Sequence, residues 1–99
     1  MPVRVAIPFH LQTLAKVNGE VLLNVQPPVT IGSVLQALEA AYPMLKGTVR
    51  DHATGKRRPY LRFYACSKDF SHEGMECELP DEIADGKDVF IVLGAISGG

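Results

Sequence analysis

Ninety-nine residues, 46% hydrophobic and 21% charged, are enough for one folded core and exclude both a two-domain enzyme and a disordered chain. The longest apolar run, Val89 to Ile96, falls far short of the ~20 residues that a membrane-spanning helix needs. Net charge is −1, so bulk electrostatics favour neither nucleic acid nor membrane.

The charges are nevertheless segregated. Lys46 to Lys68 carries seven basic residues against the one acid Asp51, and Asp69 to Asp88 carries eight acids against the one base Lys87. Such polarity suits steering toward a charged protein partner, although two solvated faces would account equally for either segment alone. Met1-Pro2-Val3-Arg4 leads directly into strand-like sequence with no apolar leader, which predicts a cytoplasmic protein.

In chain order, Val3 to Ile7 alternates at period two and predicts a first strand, which Pro8 confines to an edge or an end. His10 to Val17 is ambiguous, since Leu11, Leu14 and Val17 could make one helical turn or a packed loop. Asn18-Gly19 marks a turn, because both residues tolerate positive φ. Glu20 to Val25 predicts a second strand, ended by Gln26-Pro27-Pro28. Thr30 is placed to cap a helix. Ile31, Val34, Leu35, Leu38, Ala41 and Tyr42 then form one apolar stripe, with Gln36, Glu39 and Ala40 outside and Pro43 as the stop.

Pro43 to Pro59 is a long connection holding most of the basic residues. Tyr60 to Cys66 predicts a third strand, with Leu61, Phe63 and Ala65 on one face and Arg62, Tyr64 and Cys66 on the other. Lys68 to Glu76 is a polar turn, and Cys77-Glu78-Leu79 is a short strand at most. Pro80 to Gly86 predicts one helical turn closed by Gly86. Val89 to Leu93 is apolar on both faces, which places it in the middle of a sheet.

The order ββαβ, minor strand, helical turn, β gives an α+β architecture: the ubiquitin-like β-grasp, a mixed sheet of four to five strands with one main helix across it. A single domain over 1–99 is expected, with 94–99 as a flexible Gly-Gly tail. Its core should include Val5, Ile7, Val34, Leu35, Leu38, Phe63 and Ile83. One helix covers only one face of the sheet, so the other face should expose part of the last strand. Leu93 and Ile91 are expected there rather than Phe90 and Val92, beside Arg62 and Tyr64.

Ile83-Ala84-Asp85-Gly86-Lys87-Asp88-Val89, the apolar strand after it and the closing Gly98-Gly99 resemble the MoaD/ThiS family of ubiquitin-like sulfur carriers. Thr30-Ile31-Gly32-Ser33-Val34-Leu35, with Leu38 and Tyr42-Pro43, is similar to the single helix of that family. Length and the Gly47–Pro59 connection look most like its long-loop carriers, such as the cysteine-biosynthesis carrier.

The resemblance implies a carrier and co-substrate, not an enzyme acting alone. The Gly99 carboxylate would be adenylated by a partner activating enzyme, which uses ATP and magnesium; the carrier itself would bind no cofactor. Sulfur from a cysteine desulfurase or a rhodanese-like protein would displace AMP and leave a thiocarboxylate for a downstream sulfur-accepting synthase. Leu93, Ile91, Arg62, Tyr64 and Ile96 would meet the partner. The chemistry agrees with the residue types. A free C-terminal carboxylate, with a pKa of ~3.3–3.7, is an anion at neutral pH and a poor electrophile until joined to a leaving group. Gly98, as a spacer without a Cβ, lets the chain thread a narrow channel.

The pathway stays open among cysteine, thiamine, molybdopterin and thiolation chemistry. Three other roles compete: small subunit of a molybdopterin synthase, protein modifier attached to lysines, and non-covalent ubiquitin-like adaptor.

Other chemistries are weaker. Cys66 and Cys77 match no zinc spacing and no disulfide framework, and read as packed thiols. His10, His52 and His72 are far apart in sequence and read as surface or edge histidines. Lys56-Arg57-Arg58 with Tyr60 and Phe63 is a short RNA-binding pattern, opposed by the acids and by a sequence pI of 6.3.

Overall fold

The computed structural model describes residues 2–51, 53–55, 57 and 61–94. Its strands are β1 (Val3–Ala6), β2 (Glu20–Leu23), β3 (Leu61–Ala65), β4 (Lys68–Asp69) and β5 (Val89–Gly94). Its helices are α1 (Phe9–Ala15), α2 (Ile31–Ala41) and α3 (Asp81–Ala84), and a 3₁₀ turn follows α2 at Pro43–Leu45. The strands form one mixed sheet in the order β2-β1-β5-β3-β4. β5 lies at the centre, parallel to β1 and antiparallel to β3, as an all-apolar strand requires.

α2 forms as its sequence directs. The Thr30 hydroxyl accepts from the Ser33 N–H at 3.0 Å and the Ser33 hydroxyl accepts from the Thr30 N–H at 2.8 Å, a reciprocal capping box. Ile31, Val34, Leu35 and Leu38 are completely buried, together with Val5 and Ile83, and Phe63 and Ile7 are nearly so. Phe63 and Phe90 pack with ring centroids 5.6 Å apart and planes tilted by 40°.

The expected elements shift in several places. The first strand ends at Ala6 and the second at Leu23. The ambiguous stretch after Pro8 is helix α1, which buries Leu11 and Ala15 and leaves Leu14 exposed. Ala41 lies on the exposed side of α2, whereas Tyr42 at its end is half-buried against the core as the stripe requires. Glu39, expected outside, is only 7% exposed. Arg50 donates to it from Nη2 at 2.8 Å and from Nε at 3.1 Å, so the carboxylate is buried with its counterion supplied by the long connection. That connection is anchored rather than loose, since Leu45 and Val49 are fully buried.

The polar segment after β3 contains β4, which pairs Tyr64 with Asp69 and Ala65 with Lys68. Phe70 and Ser71 then turn inward. The buried Ser71 hydroxyl accepts from the Phe63 N–H at 2.8 Å. Cys77–Leu79 joins no sheet strand. Its backbone instead meets the start of α2: the Ile31 N–H donates to the Cys77 carbonyl at 3.1 Å, and the Gly32 N–H to the Met75 carbonyl at 2.8 Å. Two of the otherwise orphaned donors at that helix end are thereby satisfied. Gly86 closes α3 at φ +78, and a Cβ there would lie 2.7 Å from the Pro2 carbonyl oxygen.

Candidate functional site

Side-chain alternation divides the sheet into a covered and an open face. On the open side the register sets Arg62 opposite Leu93 and Tyr64 opposite Ile91 between β3 and β5. Ala6 lies opposite Ile91, and Arg4 opposite both Val89 and Leu22. Leu93 is 47% exposed and Leu22 64%, and Ile91 and Tyr64 are half-buried. Phe90 and Val92 are wholly buried on the covered side. The four expected residues of the described chain therefore come together as two directly paired couples. Ile96, Gly98 and Gly99 lie outside the described residues, as do His52, Lys56, Arg58 and Tyr60.

Ion pairs flank the apolar strip on each side. Arg4 clasps Glu20 at 3.0 and 3.2 Å, and Arg62 approaches Asp69 at 3.9 Å. Asp69 also accepts from the Ser71 N–H at 2.7 Å, and hydrogen bonding with Ser71 is the main cause holding its carboxyl below the usual range. An apolar strip bordered by exposed charges is the anatomy of a protein-docking surface.

The strip ends where β5 passes the corner between β1 and α1. Gly94, the last residue of β5, pairs with Leu61 and passes beside Pro8 and His10. Phe9, 80% exposed, stands at the same corner. Sequence reading treats His10 as an ordinary edge histidine and does not single out Pro8 or Phe9. The signal lies in the strand order: a last strand running parallel beside the first brings residue 8 alongside the end of the last strand.

Neither thiol is poised as a nucleophile. Burial, followed by the nearby Asp88 and Glu82 charges, pushes the Cys66 thiol up. Burial, followed by Glu73, does the same to Cys77. Both shifts reduce the thiolate that attack requires. Among the described residues no cluster of three or more His, Cys, Asp or Glu side chains could hold a metal ion. Two open clefts of about 490 Å³ lie elsewhere, one along Arg57, His72 and Glu76, the other along Glu39, Lys46 and Arg50. Arg57 donates to the carbonyls of Ser71 and Leu61, each at 2.6 Å, so it ties loops together. No helix among the described residues is long and apolar enough to cross a membrane.

A five-stranded mixed sheet with a central last strand, crossed by one main helix, defines a ubiquitin-like β-grasp protein. No family model and no curated protein matches the sequence. Solved structures do match. Small archaeal modifier protein 1 of Haloferax volcanii superposes with a TM-score of 0.77 at 19% identity, over 100% of both chains. A chain of the BexX/CysO complex of Amycolatopsis orientalis gives 0.75 at 22% identity, over 98% of this chain and 99% of that one. CysO of Mycobacterium tuberculosis gives 0.72 at 27% identity, over 95% and 99%. These neighbours are ubiquitin-like carrier and modifier proteins of the MoaD/ThiS type, the CysO type included, in agreement with the family that the sequence resembles.

Proposed function

We propose that this chain is a ubiquitin-like sulfur carrier whose Gly99 carboxylate is activated by a partner enzyme and converted to a thiocarboxylate. The observation that carries the reading is β5 itself. It presents Ile91 and Leu93 on an open face and leads, within five residues of Gly94, to Gly98-Gly99. One strand thus joins a docking surface to a reactive end. The BexX/CysO complex, in which a protein of this fold is bound to a partner, supports such docking.

In this reading the Gly99 carboxylate attacks the α-phosphorus of ATP on the partner, and magnesium pyrophosphate leaves. Hydrosulfide from the sulfur donor then attacks the acyl carbon, AMP departs with the bonding pair and a proton is released, leaving a thiocarboxylate with sulfur in place of one oxygen. The chain contributes reach and slenderness through Gly98, while the partner supplies the groups that stabilise the developing oxyanion. The activated tail then serves a sulfur-accepting synthase, with the chain as a cytoplasmic co-substrate. The name of the Haloferax neighbour supports a second use of the same end, attachment to lysine side chains of other proteins.

Intact-protein mass spectrometry tests the reading. With an activating enzyme, ATP, magnesium and a sulfur donor, the chain ending at Gly99 should gain the mass difference between sulfur and oxygen, localised to Gly99. Removing Gly98 and Gly99 should abolish the gain and leave thermal unfolding unchanged. Adding a residue after Gly99 should block it. A mass that never shifts with any activating enzyme of the source organism, alongside partner binding that ignores the tail, would establish a non-covalent adaptor instead. Conjugates of higher mass carrying an isopeptide-linked Gly99 would establish the modifier role.

A further inference from the structure

Exposed apolar side chains are unevenly spread over this molecule. Among the described residues five large ones are exposed, and four of these belong to one end. Phe9 and Leu14 stand on α1, Met44 on the 3₁₀ turn against which α1 packs, and Leu93 next to the last residue of β5. They share an end because β1 and β5 run parallel, with Ala6 opposite Ile91, so α1 begins where β5 finishes. Charge follows the same division. Residues 7–19 and 40–46 contain no acid, and Lys16 and Lys46 are exposed there. Asp85 and Asp88 lie instead by the start of β5 and β1, where Arg4 Nη1 donates to the Gly86 carbonyl at 3.4 Å.

Phe9 is the most exposed of the five and contributes nothing to the core. Its backbone is nevertheless held firmly. The Pro8 carbonyl accepts from the N–H groups of Leu11 and Gln12 at 2.9 and 3.0 Å, and the Thr13 hydroxyl donates to the Phe9 carbonyl at 3.2 Å. The Gln12 side chain donates to the Ile7 carbonyl at 2.9 Å and accepts from the Gly19 N–H at 3.0 Å. Leu11 and Ala15 are buried beneath. An aromatic ring carried into water on a braced corner needs little further ordering of its backbone when a partner covers it.

A length argument says which partner. In the carrier reading the reacting carboxylate stands five residues beyond Gly94, and five residues span at most ~18 Å when fully extended. A partner holding Gly99 in its own site therefore has surface within that distance of Gly94, whatever path the five residues take. We propose that the α1 end of the molecule is a second contact for the activating enzyme, with Phe9 as its anchor. It fits an apolar pocket rimmed by acidic side chains, complementary to Lys16 and Lys46. The proposal rests on the carrier reading and extends its docking strip around the end of the sheet, with Leu93 common to both contacts.

The test uses the full chain with its activating enzyme, and reads affinity, sulfur gain and thermal unfolding separately. Phe9→Ser should weaken the complex ~10- to 100-fold, the loss expected of an interface anchor, and leave thermal unfolding unchanged. Phe9→Leu should keep most of the affinity. In the unsubstituted chain, the Phe9 ring protons should feel a paramagnetic co-solute when free and be shielded from it in the complex. Lys16→Glu/Lys46→Glu should slow association ~10-fold at low salt, and wild-type association should slow as salt is added.

Equal affinity in Phe9→Ser and wild type would overturn the anchor, as would a ring that stays accessible in the complex. Association indifferent to salt would overturn the acidic rim. Ring signals of the free protein that shift when residues 95–99 are removed would give the patch to the chain's own tail. Signals that shift with protein concentration would give it to a second copy, and either result overturns the proposal. A wild type that binds no activating enzyme and gains no sulfur fails the carrier reading itself. A wild type that gains sulfur while Phe9→Ser binds equally well fails the anchor alone.

Discussion

The two faces of β5 are nearly identical in composition and opposite in use. Phe90 and Val92 are sealed into the core, Phe90 against the ring of Phe63. Ile91 and Leu93 are as apolar, yet they face away from it, with Leu93 half exposed between Arg62 and the β1–α1 corner. Burying a side chain of this kind stabilises a fold by ~1.5–3 kcal/mol, so the covered face contributes stability. The open face leaves part of that free energy available for a partner to collect. Hydrophobicity alone does not separate these roles; strand parity does.

Opposite substitutions break the comparison most strongly. Phe90→Ala should destabilise the protein by ~3–5 kcal/mol, through lost transfer energy and a cavity, and Leu38→Ala beneath α2 by ~2–5 kcal/mol. Leu93→Ala should stay within ~0.5 kcal/mol of wild type in the same denaturant titration. For the activating enzyme the order reverses: Leu93→Glu should weaken the complex about tenfold or more, each factor of ten being ~1.4 kcal/mol. A Leu93→Glu protein that folds and binds normally would show that docking uses another surface.

The next effect lies beneath the covered face, where Glu39 and Arg50 join α2 to the long connection. Arg50→Ala leaves a carboxylate that is only 7% exposed without its partner, and should cost ~2–3 kcal/mol. The pair Glu39→Leu/Arg50→Met should cost less than Arg50→Ala alone, because it removes the charge that would otherwise be stranded. A double variant that is worse than the single one would mean that the pair does more than neutralise itself.

These regions were not equally legible. α2 and β5 announce themselves, since an i, i+3, i+4 stripe and an unbroken apolar strand each have one economical placement. The partition of β5 was not legible in the strand itself, because its apolar residues do not alternate; the register that sets Leu93 opposite Arg62 and Ile91 opposite Tyr64 decides it. Glu39 was misplaced because helical periodicity ranks it with Gln36 and Ala40, and its partner stands eleven residues away in a connection without periodicity. β4 was missed for a local reason, its turn lacking the expected residues. Pairs made across long sequence separations leave no spacing to read.

A smaller effect is set by the acid at the edge of the open face. The Asp69 carboxyl is held below the ordinary aspartate value, first by hydrogen bonds with Ser71. A depressed carboxylate contributes stability above its unfolded value, and that contribution fades as pH falls through the lower folded value. Asp69→Asn should therefore flatten the acid limb of the stability curve below pH 3.8 and change little near neutrality. An acid limb of unchanged steepness would show that the Ser71 contacts do not survive in solution.

The smallest effect concerns the β3–β4 turn that borders the open face. Cys66 and Ser67 occupy it between the paired Ala65 and Lys68, with φ of +51 and +65. Two central residues at positive φ make a hairpin turn of the type that favours Asn-Gly, and Cys-Ser carries none of that signal. Holding a non-glycine residue there costs ~1–2 kcal/mol, while glycine gives back ~0.5–1 kcal/mol in the entropy of the unfolded chain. Ser67, unlike Cys66, is exposed, so its side chain can be removed without disturbing packing. Ser67→Gly should stabilise the protein by ~0.5 kcal/mol, a rise in the denaturant midpoint with no change in slope. The same variant should bind the activating enzyme as wild type does, because the turn borders the docking strip without forming it. A fall in the midpoint would mean that the Ser67 side chain contributes more to the turn than its backbone strain removes.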